Sequence, residues 1–188
     1  MHRRRSIRLK GFDYSSEGGY FITLVTHERQ PLFGEVIGDE MRLNELGVIA
    51  RDEWFRTAQI RPYVELFDDE FVVMPNHIHG IIWITDPPDR WGSDSHRRGT
   101  ARRAPTRETP TNVEQFGKPV SGSTPTIVRS YKSAVTKRIN EMRASPSSPV
   151  WQRNYHEHII GFDHEYDAIV EYIHNNPVNW TKDDEYFP

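Results

Sequence analysis

Hydrophobic and polar positions along the chain change their period several times, and each change marks a predicted element. Runs rich in β-branched and aromatic residues predict core strands at 20–27, 64–74, 77–84 and 150–160. Apolar residues at helical spacing predict helices from Asn44 to about Ala58, from Thr124 to about Met142, and from Asp163 to a point before Pro177. A short hairpin with a Gly38-Asp39 turn is expected at 33–43.

The predicted order is strand, helix, strand, strand, helix, strand, followed by one more helix. This order predicts an α+β, ferredoxin-like βαββαβ fold, in which an antiparallel sheet carries helices on one face. With 188 residues and no internal repeat, the chain is expected to form a single domain, 1–188. Residues 86–123 lack periodicity and are rich in Pro, Gly, Ser, Thr and Arg, which predicts a long flexible insertion within that domain.

Composition excludes several kinds of chemistry and location. The chain has no cysteine, so disulfides, cysteine-zinc sites and thiol nucleophiles are excluded. No segment approaches the roughly 20 apolar residues of a membrane helix, and the charged N-terminus is not followed by the apolar core of a signal peptide. A cytoplasmic protein without a membrane partner is therefore expected.

Positive charge is concentrated in short segments, although the net charge is −3. Residues 1–10 contain five Lys and Arg side chains and no acid, and a second basic run lies within the insertion. Such runs are most often solvated and disordered, and the alternative is an arm that follows the phosphates of a nucleic acid. The residues predicted to contact nucleic acid are Arg3, Arg4, Arg5 and Arg8 on the N-terminal arm, and Lys132 and Lys137 on the second long helix.

The stretch FVVMPNHIHGIIWI, 71–84, places two histidines one residue apart in a predicted strand. His77 and His79 share one face of that strand, while Ile78 points to the opposite side. Two neighbouring imidazoles can bind a metal, or they can be polar groups on a hydrated sheet face. The pair alone does not decide between these hypotheses.

The last predicted helix carries a phenol and an amide beside its apolar stripe. The stripe consists of Tyr166, Ile169, Val170 and Ile173. Tyr172 lies at its border, and Asn176 lies four residues later on the same flank. Together with the two histidines, these groups are suited to metal-assisted attack by Tyr172 on a phosphodiester, with a phosphotyrosine intermediate.

At these motifs the chain resembles a known family. MPNHIHGII is similar to the histidine-hydrophobe-histidine motif of HUH nucleases, and EYIHNNPV is similar to the Tyr-Ile-x-x-Asn-Pro motif of REP-associated tyrosine transposases. The latter are relatives of the small single-tyrosine insertion-sequence transposases. The resemblance covers most of the chain outside 86–123. It implies the ferredoxin-like fold and a bacterial enzyme that cleaves and joins single-stranded DNA, usually beside a hairpin, through a 5′-phosphotyrosine.

Carried over residue by residue, the resemblance implies that His77 and His79 bind the metal and that Tyr172 is the nucleophile. Asn176 matches the third ligand, where the insertion-sequence branch usually has glutamine, and it keeps the amide oxygen with a shorter reach. The implied cofactor is Mg²⁺ or Mn²⁺, and the implied partner is single-stranded or hairpin DNA. The resemblance leaves two expectations for the oligomeric state. One is a homodimer, as in the insertion-sequence relatives, which share active sites between two subunits, and the other is a chain that acts alone, as the REP-associated relatives are expected to do.

Two alternatives stay open beside this hypothesis. A second pair, His156 and His158, lies near Tyr155, but Glu157 between them would then face the core, where an unpaired charge is costly. This pair therefore ranks second, and Tyr155 is expected to be structural. The chain is also compatible with a relaxase-type HUH nuclease, which a single tyrosine after the histidines disfavours, or with a non-catalytic nucleic-acid-binding domain.

Overall fold

A computed structural model describes residues 11–85 and 120–186 of the chain. These residues form a mixed α/β fold around one antiparallel sheet. The strands of this sheet are β1 (Gly18–Val25), β4 (Val64–Glu65), β5 (Phe71–Val73), β6 (His77–Ile84) and β7 (His156–Ile159). A separate hairpin is formed by β2 (Gly34–Ile37) and β3 (Glu40–Leu43). The helices are α1 (Glu45–Gln59), α2 (Thr124–Met142) and α3 (Asp163–Asn175).

The sheet has the strand order β4-β6-β1-β7, and β5 also pairs with β6. All of these strand pairs are antiparallel, and β1 and β6 lie at the centre. This order confirms the ferredoxin-like fold class. The N-terminal arm 1–10 and residues 86–119 of the predicted insertion lie outside the described residues.

Two predicted strands are shorter than expected. The predicted strand 64–74 is divided into β4 and β5 by a short 3-10 helix at Asp68–Glu70, because Glu70 turns into the core and accepts hydrogen bonds there. In the predicted strand 150–160 only β7 pairs over several residues, and Trp151 forms an isolated bridge to Thr26.

The helix starts agree with the sequence within one residue. Asn44, the predicted start of the first helix, caps α1, since its side-chain oxygen accepts hydrogen bonds from the amides of Leu46 and Gly47 at 2.9 and 3.0 Å. Such a cap contributes about 1 kcal/mol. The N-cap of α2 is Ser123, and Thr124, where the helix was predicted to start, is its first residue, with its hydroxyl donating to Tyr14 O.

The two faces of the sheet carry different helices. Helices α1 and α2 pack on one face and bury the main core, which includes Val73, Ile78, Ile82 and Ile84 as predicted. Helix α3 covers the opposite face over a second core formed by Phe21, Ile81, Trp83, Ile160 and Ile173. Because side chains alternate along β6, the odd-numbered residues face α3. The two histidines of β6 therefore lie beneath the helix that carries Tyr172.

Candidate active site

The two histidines of β6 are buried side by side. His77 and His79 are 0% and 2% exposed, and their ring centroids are 4.5 Å apart. The antiparallel register places Thr23 of β1 beside His79 and Val25 beside His77. The hypothesis of polar groups on a hydrated sheet face is therefore wrong.

Each imidazole is oriented through its Nδ1 atom. Thr23 Oγ1 lies 2.9 Å from His79 Nδ1, and Asn76 Oδ1 lies 2.9 Å from His77 Nδ1. An amide oxygen can only accept, so the proton of a neutral His77 belongs on Nδ1 and its Nε2 keeps a free lone pair. That is the form in which a histidine binds a metal.

Asn76 is itself held by two hydrogen bonds. Its Nδ2 donates to the carbonyl oxygens of Arg29 and Glu185 at 3.2 and 2.7 Å. These two acceptors fix which end of the amide faces His77. The sequence alone assigns Asn76 no role, because its place beside His77 depends on segments far away in the chain.

Tyr172 reaches the histidines from α3. Its phenolic oxygen lies 3.1 Å from His79 Nε2, and its hydroxyl donates to Asp183 Oδ2 at 2.8 Å. The next residue, Ile173, is buried in the second core, so Tyr172 lies at the edge of the packed stripe as predicted. The side chain is 43% exposed, which leaves the phenol accessible from solvent.

Asn176 follows at the end of α3 and is 1% exposed. Its Nδ2 donates to Asp183 Oδ2 at 2.8 Å. Within the described parts of the chain, Asn176 Oδ1 and His77 Nε2 are buried and have no hydrogen-bond partner. Buried polar atoms in proteins nearly always have partners, so two such acceptors in one site fit the binding of a cation.

Asp183 is the site residue that the sequence analysis missed. One ligand atom each from His77, His79 and Asp183 lie within 4.8 Å of one another, and this group could hold a metal ion. Asp183 follows the short 3-10 helix Trp180–Lys182, where the chain turns back over the site. The only signal in the sequence is the acidic run at 183–185, which by itself has no assigned place.

Burial controls the protonation of these groups. Burial lowers the pKa of His77 to about 4, against the opposing charge of Asp183. Burial, with the neighbouring His77 charge, also holds the pKa of His79 well below its ordinary value. Burial and then the hydrogen bond to Asp183 raise the pKa of Tyr172 above its ordinary value. At neutral pH both imidazoles are thus neutral and the phenol keeps its proton.

Helix α3 is anchored at two places away from Tyr172. The buried carboxylate of Glu70 accepts hydrogen bonds from Trp83 Nε1 at 2.5 Å and from the Tyr166 hydroxyl at 2.7 Å. His174 Nε2 lies 2.8 Å from the carbonyl oxygen of Asp69. These contacts tie both ends of α3 to the 3-10 helix between β4 and β5.

The second histidine pair lies on the edge strand β7. His156 and His158 stand opposite Thr23 and Phe21, so they share the face of His79 but are exposed. His158 pairs with Glu165 at 2.5 Å. As the sequence analysis anticipated, Glu157 faces the other side, and there the hydroxyl of Tyr155 donates to it at 3.4 Å.

Of the residues predicted to bind nucleic acid, the two that the structure describes are not brought to this site. Arg3, Arg4, Arg5 and Arg8 lie outside the described residues. Lys132 and Lys137 belong to α2, on the opposite face of the sheet from α3. Lys132 Nζ donates to Gln152 O at 2.6 Å, and burial lowers its pKa to about 8. Lys137 is exposed and lies 3.9 Å from Glu141.

In the described parts of the chain, the helices are too short or too polar to span a membrane.

By its architecture the protein is of the α+β class, with a ferredoxin-like sheet that carries a histidine pair beneath a tyrosine-bearing helix. Comparison with known sequences gives its family. The chain is 40% identical over 186 residues to an uncharacterized protein of Haemophilus influenzae, and the match covers 99% of this chain and 94% of that protein. The chain belongs to the same family as this Haemophilus protein. No protein-family model matches the chain.

Two solved structures are also similar to this chain. One is a REP-associated tyrosine transposase bound to a REP hairpin, with a TM-score of 0.49, 19% identity, and coverage of 96% of this chain and 74% of that one. The other is a candidate transposase from Deinococcus radiodurans, with a TM-score of 0.42, 17% identity, and coverage of 93% and 97%. Both of those proteins are described as transposases.

Proposed function

We propose that this protein is a transposase that cleaves and rejoins single-stranded DNA at hairpin-flanked sites through a covalent bond to Tyr172. The observation that carries the proposal is the contact between the Tyr172 phenol and His79, 3.1 Å apart, beside the group formed by His77, His79 and Asp183. A phenol that borders three candidate metal ligands is suited to phosphoryl transfer.

The donor set fits a divalent cation such as Mg²⁺ or Mn²⁺. His77, His79 and Asp183 would hold it, with the Asn176 amide oxygen as a further ligand. Two neutral imidazoles with oxygen ligands are compatible with Mn²⁺, and the carboxylate suits both ions. When bound, the cation would draw charge from the phosphate and so make phosphorus more susceptible to attack.

Tyr172 is the proposed nucleophile. Its Oη forms a bond to phosphorus while the bond between phosphorus and the 3′ oxygen breaks, which leaves a 5′-phosphotyrosine and a 3′ hydroxyl. The hydrogen bond to Asp183 places the phenolic oxygen 2.8 Å from Oδ2 of a carboxylate that can accept the phenolic proton. The 3′ oxygen takes a proton from water. Attack by a 3′ hydroxyl on the phosphotyrosine reverses these steps and rejoins the strand without ATP.

All the groups of this proposed site belong to one chain. Helix α3 packs against its own sheet through the second core, so Tyr172 and the histidines meet without a second subunit. A homodimer stays a prediction from the family resemblance and is not needed to complete the site.

The test is a denaturing gel with labelled hairpin DNA that carries single-stranded flanks, in the presence of Mn²⁺ or Mg²⁺. We expect a metal-dependent covalent protein–DNA band in the wild type and in Tyr155→Phe, and none in Tyr172→Phe. Tyr155→Phe is the matched control, because it removes a hydroxyl from a half-buried tyrosine on the opposite face of the sheet. DNA binding without a covalent product, over a panel of hairpins, would instead favour the non-catalytic nucleic-acid-binding domain.

A further inference from the structure

Arg29 lies at the same end of the sheet as His77. It is the last residue of the 3-10 helix His27–Arg29, which directly follows β1, and β1 ends where the antiparallel β6 begins. Its carbonyl oxygen accepts a hydrogen bond from Asn76, the residue that orients His77. Arg29 is thus the cation that the backbone ties most directly to the histidine pair in the described structure.

The backbone at this position is unusual. Glu28 and Arg29 have φ angles of 55° and 56°, in the left-handed region that costs a non-glycine residue about 1 kcal/mol or more. The Glu28 side chain is 72% exposed, so its own packing does not explain the conformation. Strained backbone persists where the position of a side chain matters. Here the turn positions the Arg29 carbonyl oxygen, which accepts from Asn76, and with it the Arg29 guanidinium.

Residues 184 and 185 contact the Arg29 guanidinium. Arg29 Nη1 donates to Asp184 O at 2.9 Å, and Nη2 lies 3.0 Å from the carboxylate of Glu185. The same short segment supplies Asp183 to Tyr172 and Asn176. The guanidinium thus makes one hydrogen bond, to a carbonyl oxygen, and one ion-pair contact, to a carboxylate that makes no hydrogen bond with it. A phosphate offers both a negative charge and several acceptor oxygens, which are what a guanidinium binds best.

We propose that Arg29 is a phosphate-binding residue for the nucleic-acid strand, and that residues 184–185 occupy its guanidinium when no strand is bound. The proposal rests on the proposed function, because it names a substrate contact of the same site. Three acidic residues in a row at 183–185 repel a phosphate backbone. The strand and this acidic segment are therefore alternative ligands of Arg29.

The test is a fluorescence-anisotropy titration of a labelled single-stranded oligothymidylate of about 20 nucleotides, at several salt concentrations and in EDTA. We expect Arg29→Ala to weaken binding about tenfold and to reduce the slope of log K against log salt by about one. Glu185→Gln should strengthen binding several-fold, because it removes the competing charge. Arg51→Ala, which removes the same charge from the exposed side of α1, should change affinity less than about twofold.

If Arg29 served only to anchor residues 184–185, Arg29→Ala would not weaken the binding of the oligonucleotide and would strengthen it instead. Arg29→Ala would then free the site as Glu185→Gln does, and stronger or unchanged binding by Arg29→Ala would overturn the proposal. Arg29→Lys guards against a folding defect, since it keeps the charge and should bind between wild type and Arg29→Ala at an unchanged melting temperature.

The outcome is separable from that of the proposed function. If Arg29→Ala binds as the wild type does while the Tyr172-dependent covalent band persists, only the Arg29 assignment is wrong. If the wild type forms no covalent band, the proposed reaction is wrong, and the sign of the Arg29→Ala effect on binding still decides whether Arg29 holds a phosphate.

Discussion

Tyr172 and His79 are 93 residues apart in the sequence, yet the phenolic oxygen of one lies 3.1 Å from Nε2 of the other. The rings also meet edge-on, with centroids 5.0 Å apart. The cause is the docking of α3 on the face of β6 that carries the odd-numbered residues. The proposed nucleophile therefore borders the proposed metal ligands within one folded chain.

The first prediction concerns metal binding without reference to activity. At about 100 times its dissociation constant, a ligand of the folded state alone stabilises a protein by about 2.7 kcal/mol, so Mn²⁺ should raise the melting temperature of the wild type. His77→Ala should abolish this increase, because it removes a ligand with a free Nε2. His158→Ala is the matched control and should retain it. An increase that survives in His77→Ala but is lost in His158→Ala would move the metal to the edge strand.

A second prediction concerns the pairing of Tyr172 with Asp183. Burial and the Asp183 carboxylate both raise the pKa of Tyr172. Because the carboxylate accepts a hydrogen bond from the neutral phenol and repels the phenolate, Asp183→Asn should lower this pKa. An ultraviolet titration in EDTA, with the matching Tyr172→Phe curve subtracted in each background, isolates the one phenol. Identical difference curves in the wild-type and Asp183→Asn backgrounds would contradict the assigned pairing.

The third prediction is the dependence of stability on pH. Burial lowers the pKa of His77 from 6.5 to about 4, so between these values the unfolded chain binds a proton that the folded chain does not. The free energy of unfolding should therefore fall as pH decreases from about 6.5 to about 4, by roughly 3 kcal/mol from His77 alone.

Urea unfolding in EDTA at a series of pH values measures this slope. His77→Gln keeps a polar side chain of similar length but cannot take up the proton, so its curve should be flatter over that interval. A slope equal to that of the wild type would show that other groups cause the acid sensitivity.

The fourth prediction concerns the anchor of α3. Glu70→Ala removes the charged acceptor shared by Trp83 and Tyr166 and should lower the free energy of unfolding by about 3 kcal/mol or more. Tyr166→Phe removes one of the two hydrogen bonds and should cost about 1.5 kcal/mol. Glu171→Ala, an exposed change on the same helix, should stay within about 0.5 kcal/mol. Equal stability of the wild type and Glu70→Ala in chemical denaturation would contradict this anchor.

The elements of the fold follow from local patterns in the sequence. The alternation around Ile78 fixes which face of β6 carries the histidines. Asn44 fixes where α1 begins, and the apolar stripe of α3 fixes which side of that helix is buried. These features depend on residues within a few positions of one another. A single strand over 64–74 was predicted wrongly, because the inward turn of Glu70 depends on Trp83 and Tyr166, which lie elsewhere in the chain.

The sequence by itself therefore determined the strand that presents His77 and His79 together and the helix border that holds Tyr172 and Asn176. Only the tertiary structure decided that α3 covers the histidine face, that Asn76 orients His77, and that the chain end brings in Asp183. The physical reason is the separation along the sequence between the residues that fix each feature. Side-chain direction within a strand or helix is set by backbone geometry over a few residues, whereas contacts between distant segments depend on how whole elements pack and leave no periodic trace in the sequence.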